Sequence, residues 1–261
     1  MATRRSRTRL TPFGKIVVAL LAAALVIGLV WVVTAGGEDT PARSSTTPPD
    51  SPATTPVAPV PACAYGDVRA QSSGYGDWQR TLLDTEFRLP RSYRPPDLVS
   101  VSEAGFAGDF RVRSLVVDDL AALREAAANA GHPIELVAAF RSYAQQASLF
   151  ERREQQLGYD RSLDKTARAG HSEHQLGTAL DFKTFGAADV TESWGREPTG
   201  RWMSEHAYRF GFVLSYPDGR RNVTCYPYEP WHFRYLGRDL ATRVHTTGLT
   251  LRQFLWDRTH A

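Results

Sequence analysis

From Ile16 to Val33 the chain carries no charged or strongly polar side chain, and as a helix that run is long enough to cross the hydrocarbon core of a bilayer. The rest of the sequence has to be arranged around this segment. A core helix of a soluble domain would show a polar face. A cleavable signal peptide has a shorter apolar region, about 7 to 15 residues, closed by a small-x-small site. The run therefore reads as a transmembrane signal anchor over residues 16–35. Arg4, Arg5, Arg7, Arg9 and Lys15 all precede it, so the positive-inside rule leaves residues 1–15 as a basic cytoplasmic tail and puts everything after Gly36 outside. The cytoplasmic membrane is thus one expected partner.

Residues 36–61 are dominated by Thr, Pro, Ser and Ala, a composition that cannot bury enough apolar surface to offset its ordering entropy. They read as a semi-extended linker. The expected organisation is completed by one extracytoplasmic domain over residues 62–261. A chain that is 42% hydrophobic and 23% charged can form one well-cored domain of that size.

The formal net charge of +3 belongs to the tail. Five cations and no acid fall in residues 1–15, which leaves 26 cations against 28 acids, or −2, for the remainder. Nucleic-acid binding needs a basic face on the folded part, so no such partner is expected. Cys63 and Cys225 both lie on the oxidising side and read as a disulfide, with two unrelated buried thiols as the alternative.

Periodicity within the domain is mixed and predicts an α+β fold without internal repeats. Ser114–Ala130 has helical spacing and is closed by Gly131 and Pro133; Ile134–Ala139 suits a buried strand; Gln145–Leu157 is an amphipathic helix ending at Gly158. Strands are expected at Thr178–Phe182 and Phe212–Tyr216, with a helix over Arg201–Arg209 between them. The aromatic stretch Tyr226–Tyr235 reads as a strand, and Leu236–Thr246 and Leu249–Trp256 as closing helices.

Two segments carry chemistry. Ser172-Glu173-His174-Gln175-Leu176-Gly177-Thr178-Ala179-Leu180-Asp181 places an imidazole on the loop into a strand and a carboxylate on the strand itself, so that both converge on one ion. Glu229-Pro230-Trp231-His232 adds a second imidazole with a carboxylate three residues before it. Two histidines and one carboxylate, with a fourth position for water, form the ligand set of a catalytic rather than a structural zinc site. The remaining glutamate is then free to act as a base. His132, His171, His206, His245 and His260 fall in no such pattern.

Ser-x-His-x-x-Gly-x-Ala-x-Asp followed by Glu-x-Trp-His resembles the motif pair of the LAS metallopeptidases, and Arg141-Ser142-Tyr143-x-x-Gln146 resembles a third element of that family. The match extends over about Leu115 to Gly237 and is nearest to the VanY-like D-alanyl-D-alanine carboxypeptidases. The resemblance implies a small antiparallel sheet with packed helices carrying a zinc site, of the Hedgehog/D-Ala-D-Ala peptidase type. It implies Zn2+ held by His174, Asp181 and His232, Glu229 as general base, and Arg141 on the oxyanion or the substrate's terminal carboxylate. Gln146 and Ser172 become substrate-side hydrogen-bonders, and the implied substrate is the peptidoglycan stem peptide. Two departures stand out: Cys225 replaces a frequent glycine before the tyrosine, and Ser215 a frequent arginine before Tyr-Pro. Related dipeptidases and L-alanyl-D-glutamate endopeptidases share the zinc site. Hedgehog-like binding domains share the fold, but a binding domain has no need of Glu229.

Overall fold

The computed structural model describes residues 59–260. The expected basic tail, the anchor at 16–35 and the linker as far as residue 58 lie outside them. No helix among the described residues is long and apolar enough to cross a membrane.

The elements run β1 (Val68–Arg69), β2 (Phe87–Arg88), β3 (Leu98–Ser100), β4 (Arg111–Arg113), α1 (Val117–Asn129), β5 (Ile134–Ala138), α2 (Tyr143–Leu157), α3 (Tyr159–Leu163), β6 (Ala179–Thr184), α4 (Pro198–His206), β7 (Phe212–Leu214), α5 (Arg221–Thr224), β8 (His232–Tyr235), α6 (Arg238–Thr247) and α7 (Leu251–His260). Strands β5, β6, β8 and β7 form, in that order, one antiparallel sheet, while β1–β2 and β3–β4 are separate short pairs. This is a mixed fold of small sheets and several helices.

Period-two alternation divides the central sheet into two unlike faces. Leu180 and Phe182 of β6, Phe233 and Tyr235 of β8 and Phe212 of β7 enter one apolar core, together with Leu120, Leu123 and Ala127 of α1 and Met203 of α4. Asp181, His232 and Arg234 occupy the alternate positions, so the opposite face is polar although all three side chains are buried. Burying the Phe182 ring fully is worth about 1.5–3 kcal/mol, and this oily layer lets the other face carry charge.

Several element boundaries differ from expectation for local reasons. Helix α4 starts three residues before Arg201 because Pro198 stands at its first turn, where its missing N–H costs nothing. The expected strand Tyr226–Tyr235 is a strand only from His232. Pro227 and Pro230 cannot donate to a ladder, and Glu229 turns there instead, with His232 N–H donating to its carbonyl at 3.0 Å. The strand from Phe212 stops at Leu214 rather than Tyr216.

Cys63 and Cys225 are joined, fixing a segment beside Pro61 to the loop before Tyr226. Arg252 of α7 draws the same ends together, donating to the carbonyls of Pro61 at 2.9 Å and Val223 at 3.1 Å. Cys225 has φ 68°, and among the described residues no other non-glycine has a positive φ.

Opening this bridge, whose cysteines are 162 residues apart, is expected to cost about 2–5 kcal/mol. In a Cys63→Ser background, Cys225→Gly should be the more stable partner and Cys225→Ala the less, by about 1 kcal/mol, because only glycine accepts the left-handed backbone without strain. Denaturant midpoints decide it, and equal midpoints would count against strain at Cys225.

Candidate active site

In the β6–β8 ladder Asp181 pairs directly with His232. His174 arrives from the other side, on a 3-10 turn at Glu173–Leu176 whose N-cap is Ser172 and which ends at Gly177. The glycine is required: its φ is 73°, and a Cβ would meet Arg113 at 3.0 Å and Leu98 at 3.1 Å. Ligand-type atoms of His174, Asp181 and His232 all lie within 4.8 Å of one another.

The orientation of each imidazole is fixed at its far nitrogen. His174 Nδ1 sits 2.7 Å from the Ala139 carbonyl, leaving Nε2 3.3 Å from Asp181 Oδ2. His232 donates from Nε2 to Glu173 Oε2 at 3.0 Å, which turns Nδ1 towards Asp181 Oδ1, also at 3.0 Å. Two histidine nitrogens and a carboxylate aimed at one point, each imidazole backed by an acceptor, are what a divalent ion of the zinc type requires. The residues present fit such an ion.

Electrostatics agree. Burial alone would raise the Glu173 carboxyl, but Arg234 and hydrogen bonds from His232 and Ser215 hold it down at about 2. Burial alone would lower His232, yet its bonds to Asp181 and Glu173 win and raise it to about 10 in the metal-free chain. Asp181 is likewise held well below the usual carboxylate range, burial being outweighed by His174 and His232. Glu229 behaves oppositely. Burial pushes it up to about 7 against the opposing charge of His232, whose Nδ1 lies 3.9 Å from Glu229 Oε2.

Arg141, Gln146, Ser172, His174, Asp181, Glu229 and His232 line a single cleft of about 190 Å³, so all seven residues singled out in the sequence come together. Arg141 donates to Gln146 Oε1 at 2.7 Å, and Gln146 donates to the Ala167 carbonyl at 2.6 Å. Ser172 accepts from the His174 N–H at 3.4 Å, capping the turn that carries the histidine. His171 is buried elsewhere, its Nδ1 2.8 Å from the Asp84 carbonyl.

Residues 109–238 match the family model VanY, described as D-alanyl-D-alanine carboxypeptidase. A D-alanyl-D-alanine carboxypeptidase of Enterococcus faecalis is 31% identical over 188 residues, covering 69% of this chain and 66% of that protein. The chain thus spans just under two thirds of the length of the first curated relatives it matches. The solved structure of the LdcB LD-carboxypeptidase is 31% identical, with a TM-score of 0.61, over 66% of this chain and 83% of LdcB. The chain belongs to the VanY-like peptidases of the LAS superfamily. Another neighbour, a mutant of the vancomycin-resistance D,D-pentapeptidase VanY in complex with Zn(II), is 26% identical, with a TM-score of 0.59, over 68% of this chain and 99% of VanY.

Both departures from the VanY-like pattern have a structural account. Cys225 keeps the left-handed backbone that suits the family's glycine and uses the side chain for the disulfide. Ser215, in place of the frequent arginine, donates to Glu173 Oε2 at 2.6 Å, while Arg234 Nη1 donates to Glu173 Oε1 at 2.8 Å and Nη2 donates to the Trp78 carbonyl. Glu173 and Arg234 were not singled out in the sequence. The available signals were an acid inside the first motif, next to a ligand, and an arginine two residues after His232, hence on the same strand face.

Glu173→Gln keeps the shape but removes the carboxylate behind His232, so zinc affinity should fall about 10- to 100-fold. Competition with a chromogenic chelator measures this, and unchanged affinity would make the Glu173 contact incidental.

Proposed function

We propose that this protein is a zinc-dependent D-alanyl-D-alanine carboxypeptidase that removes the terminal D-Ala of peptidoglycan stem peptides. One observation carries the reading. Around the His174, Asp181, His232 cluster the cleft holds a half-buried glutamate, pushed up to about 7 by desolvation in the metal-free chain, and a half-buried arginine, the base and the anion receptor that a carboxypeptidase needs. The names of the VanY-like relatives support it, as does the Zn(II) in the VanY structure.

His174, Asp181 and His232 would hold the zinc, which when bound supplies Lewis-acid polarisation of a carbonyl and acidification of water. Glu229 takes the proton of the attacking water and returns it to the leaving amine, a task suited to a carboxylate whose proton affinity burial raises above the usual carboxylate range in the metal-free chain. Arg141 receives the free carboxylate of the terminal residue. Burial pulls its pKa below the usual guanidinium value, with Asp181 and Glu229 opposing, and Gln146 holds one arm of the fork in place. Tyr216 and Trp231 wall the cleft.

We also propose the cellular arrangement: a single anchor over residues 16–35, a linker over 36–61 and a catalytic domain over 62–261 outside the cytoplasmic membrane. Its support is the uncharged run from Ile16 to Val33 behind five cations.

A second reading, cleavage of an L,D bond after loss of the last D-Ala, is favoured by the similarity to LdcB. Pentapeptide and tetrapeptide stems separate the two. The proposal requires release of one D-Ala from the pentapeptide, whereas cleavage of the tetrapeptide alone supports the LdcB-like reaction.

Glu229→Gln should retain zinc and fold while turnover drops about 10²- to 10⁴-fold. The parent's kcat/KM should fall with acid as Glu229 takes up its proton, and that acid limb should vanish from the variant's residual rate. A variant that cleaves at the parental rate would refute the assigned base.

A further inference from the structure

Beyond the metal cluster the cleft continues along one face of α2. Gln146, Leu149 and Arg153 line it at helical spacing, and Lys165 and Thr166 line it beside Ala167, which Gln146 binds. Its lining acids are Asp181 and Glu229, both at the metal end. Its outer end carries Arg153 and Lys165.

Both cations are exposed, and among the described residues neither has a carboxylate partner. Arg153 Nη1 reaches the neutral Gln156 Oε1 at 3.5 Å, and Asp164, next to Lys165, is engaged by Arg221. Glu151 and Glu154 of α2 lie outside the lining. The outer cleft is therefore an uncompensated positive mouth on a groove whose inner end receives a peptide terminus.

Distance selects the substrate position. Gln146 touches Arg141 at the inner end, and Arg153 lies seven residues further along α2, about 10 Å at about 1.5 Å per residue. An extended peptide advances about 3.3–3.6 Å per residue. Arg153 thus stands beside the second or third substrate residue before the scissile bond, and Lys165, two residues before the Ala167 that Gln146 binds, lines the same stretch of cleft. We infer that Arg153 and Lys165 are specificity-determining residues that select peptides bearing a free side-chain carboxylate at that position over the same peptides amidated there. The inference rests on the proposed carboxypeptidase reading and deepens it by naming the acidic substrate class.

The test uses the full chain, zinc-loaded in detergent micelles, and two synthetic peptides ending in D-Ala-D-Ala. One carries free carboxylates on the second and third residues before the scissile bond, the other carboxamides. Exposed ion pairs are individually weak, so the parent should show a KM about 3- to 10-fold lower for the acid peptide. That ratio should shrink with added salt and approach one in Arg153→Gln/Lys165→Gln, with kcat on the amide peptide unchanged. Binding of both peptides to Glu229→Gln, with and without the two rim substitutions, is titrated in parallel and reads the same preference without turnover. A preference that is absent in the parent, or that survives the double substitution, overturns the inference. Failure of the parent to cleave either peptide overturns the carboxypeptidase reading instead, and the binding ratio still decides the role of the two cations.

Discussion

Asp181 and His232 face one another across the β6–β8 ladder, on the side of the sheet turned away from the aromatic core. A carboxylate and an imidazole buried together cost several kcal/mol of desolvation unless their charges and hydrogen bonds are completed. Glu173, Arg234 and Ser215 complete them. Glu173 receives His232, Arg234 and Ser215 at 3.0, 2.8 and 2.6 Å, and Arg234 is anchored again on the Trp78 carbonyl. In the metal-free chain this makes two carboxylates against an arginine and a protonated histidine, a balanced set. Remove one member and a buried charge is left uncompensated.

This arrangement explains why a short sheet needs so much around it. The segment before α1 supplies the Trp78 carbonyl and, through Gln79, a bond to the Leu236 carbonyl at 2.8 Å, closing the region behind the cluster. The buried pair Arg252–Asp84, at 2.7 Å, and the Cys63–Cys225 bridge hold α7 and the segment around Cys63 against the loop that leads to Glu229. That loop must place a carboxyl near His232 without letting it join the cluster. The Glu229 carboxylate, 3.9 Å from His232 Nδ1 and beyond hydrogen-bond distance, meets this requirement; desolvation outweighs the pull of His232 and its pKa moves up, while the bonded carboxylates of Glu173 and Asp181 move down.

The three ligand residues and Glu229 were legible in the sequence because the motif pair ties their chemistry to spacing, whereas Arg153, Lys165 and Tyr216, which line the same cleft, fall in neither motif. A histidine, a glycine three residues later and an aspartate on the following strand can be recognised without coordinates. Helix α1 and strand β5 were legible for the same reason, each having one apolar period and ordinary stop signals. Two other features were not. Strands β1 to β4 are two or three residues long and owe their pairing to distant neighbours, so they leave no periodicity. Aromatic content suggested a strand from Tyr226, but two prolines and the left-handed Cys225 override that propensity. The Glu173–Arg234 pair spans 61 residues and has no local signature beyond strand alternation.

Everything proposed about activity depends on a metal held by these three side chains in this orientation. The most direct measurement is anomalous diffraction at the zinc edge from crystals of the zinc-loaded protein. The account predicts one ion bound by His174 through Nε2, His232 through Nδ1 and the Asp181 carboxylate, with Glu173 still on His232 Nε2 and Glu229 outside the ligand set. An ion ligated by Glu229, or by His232 through Nε2 with Glu173 displaced, would contradict it.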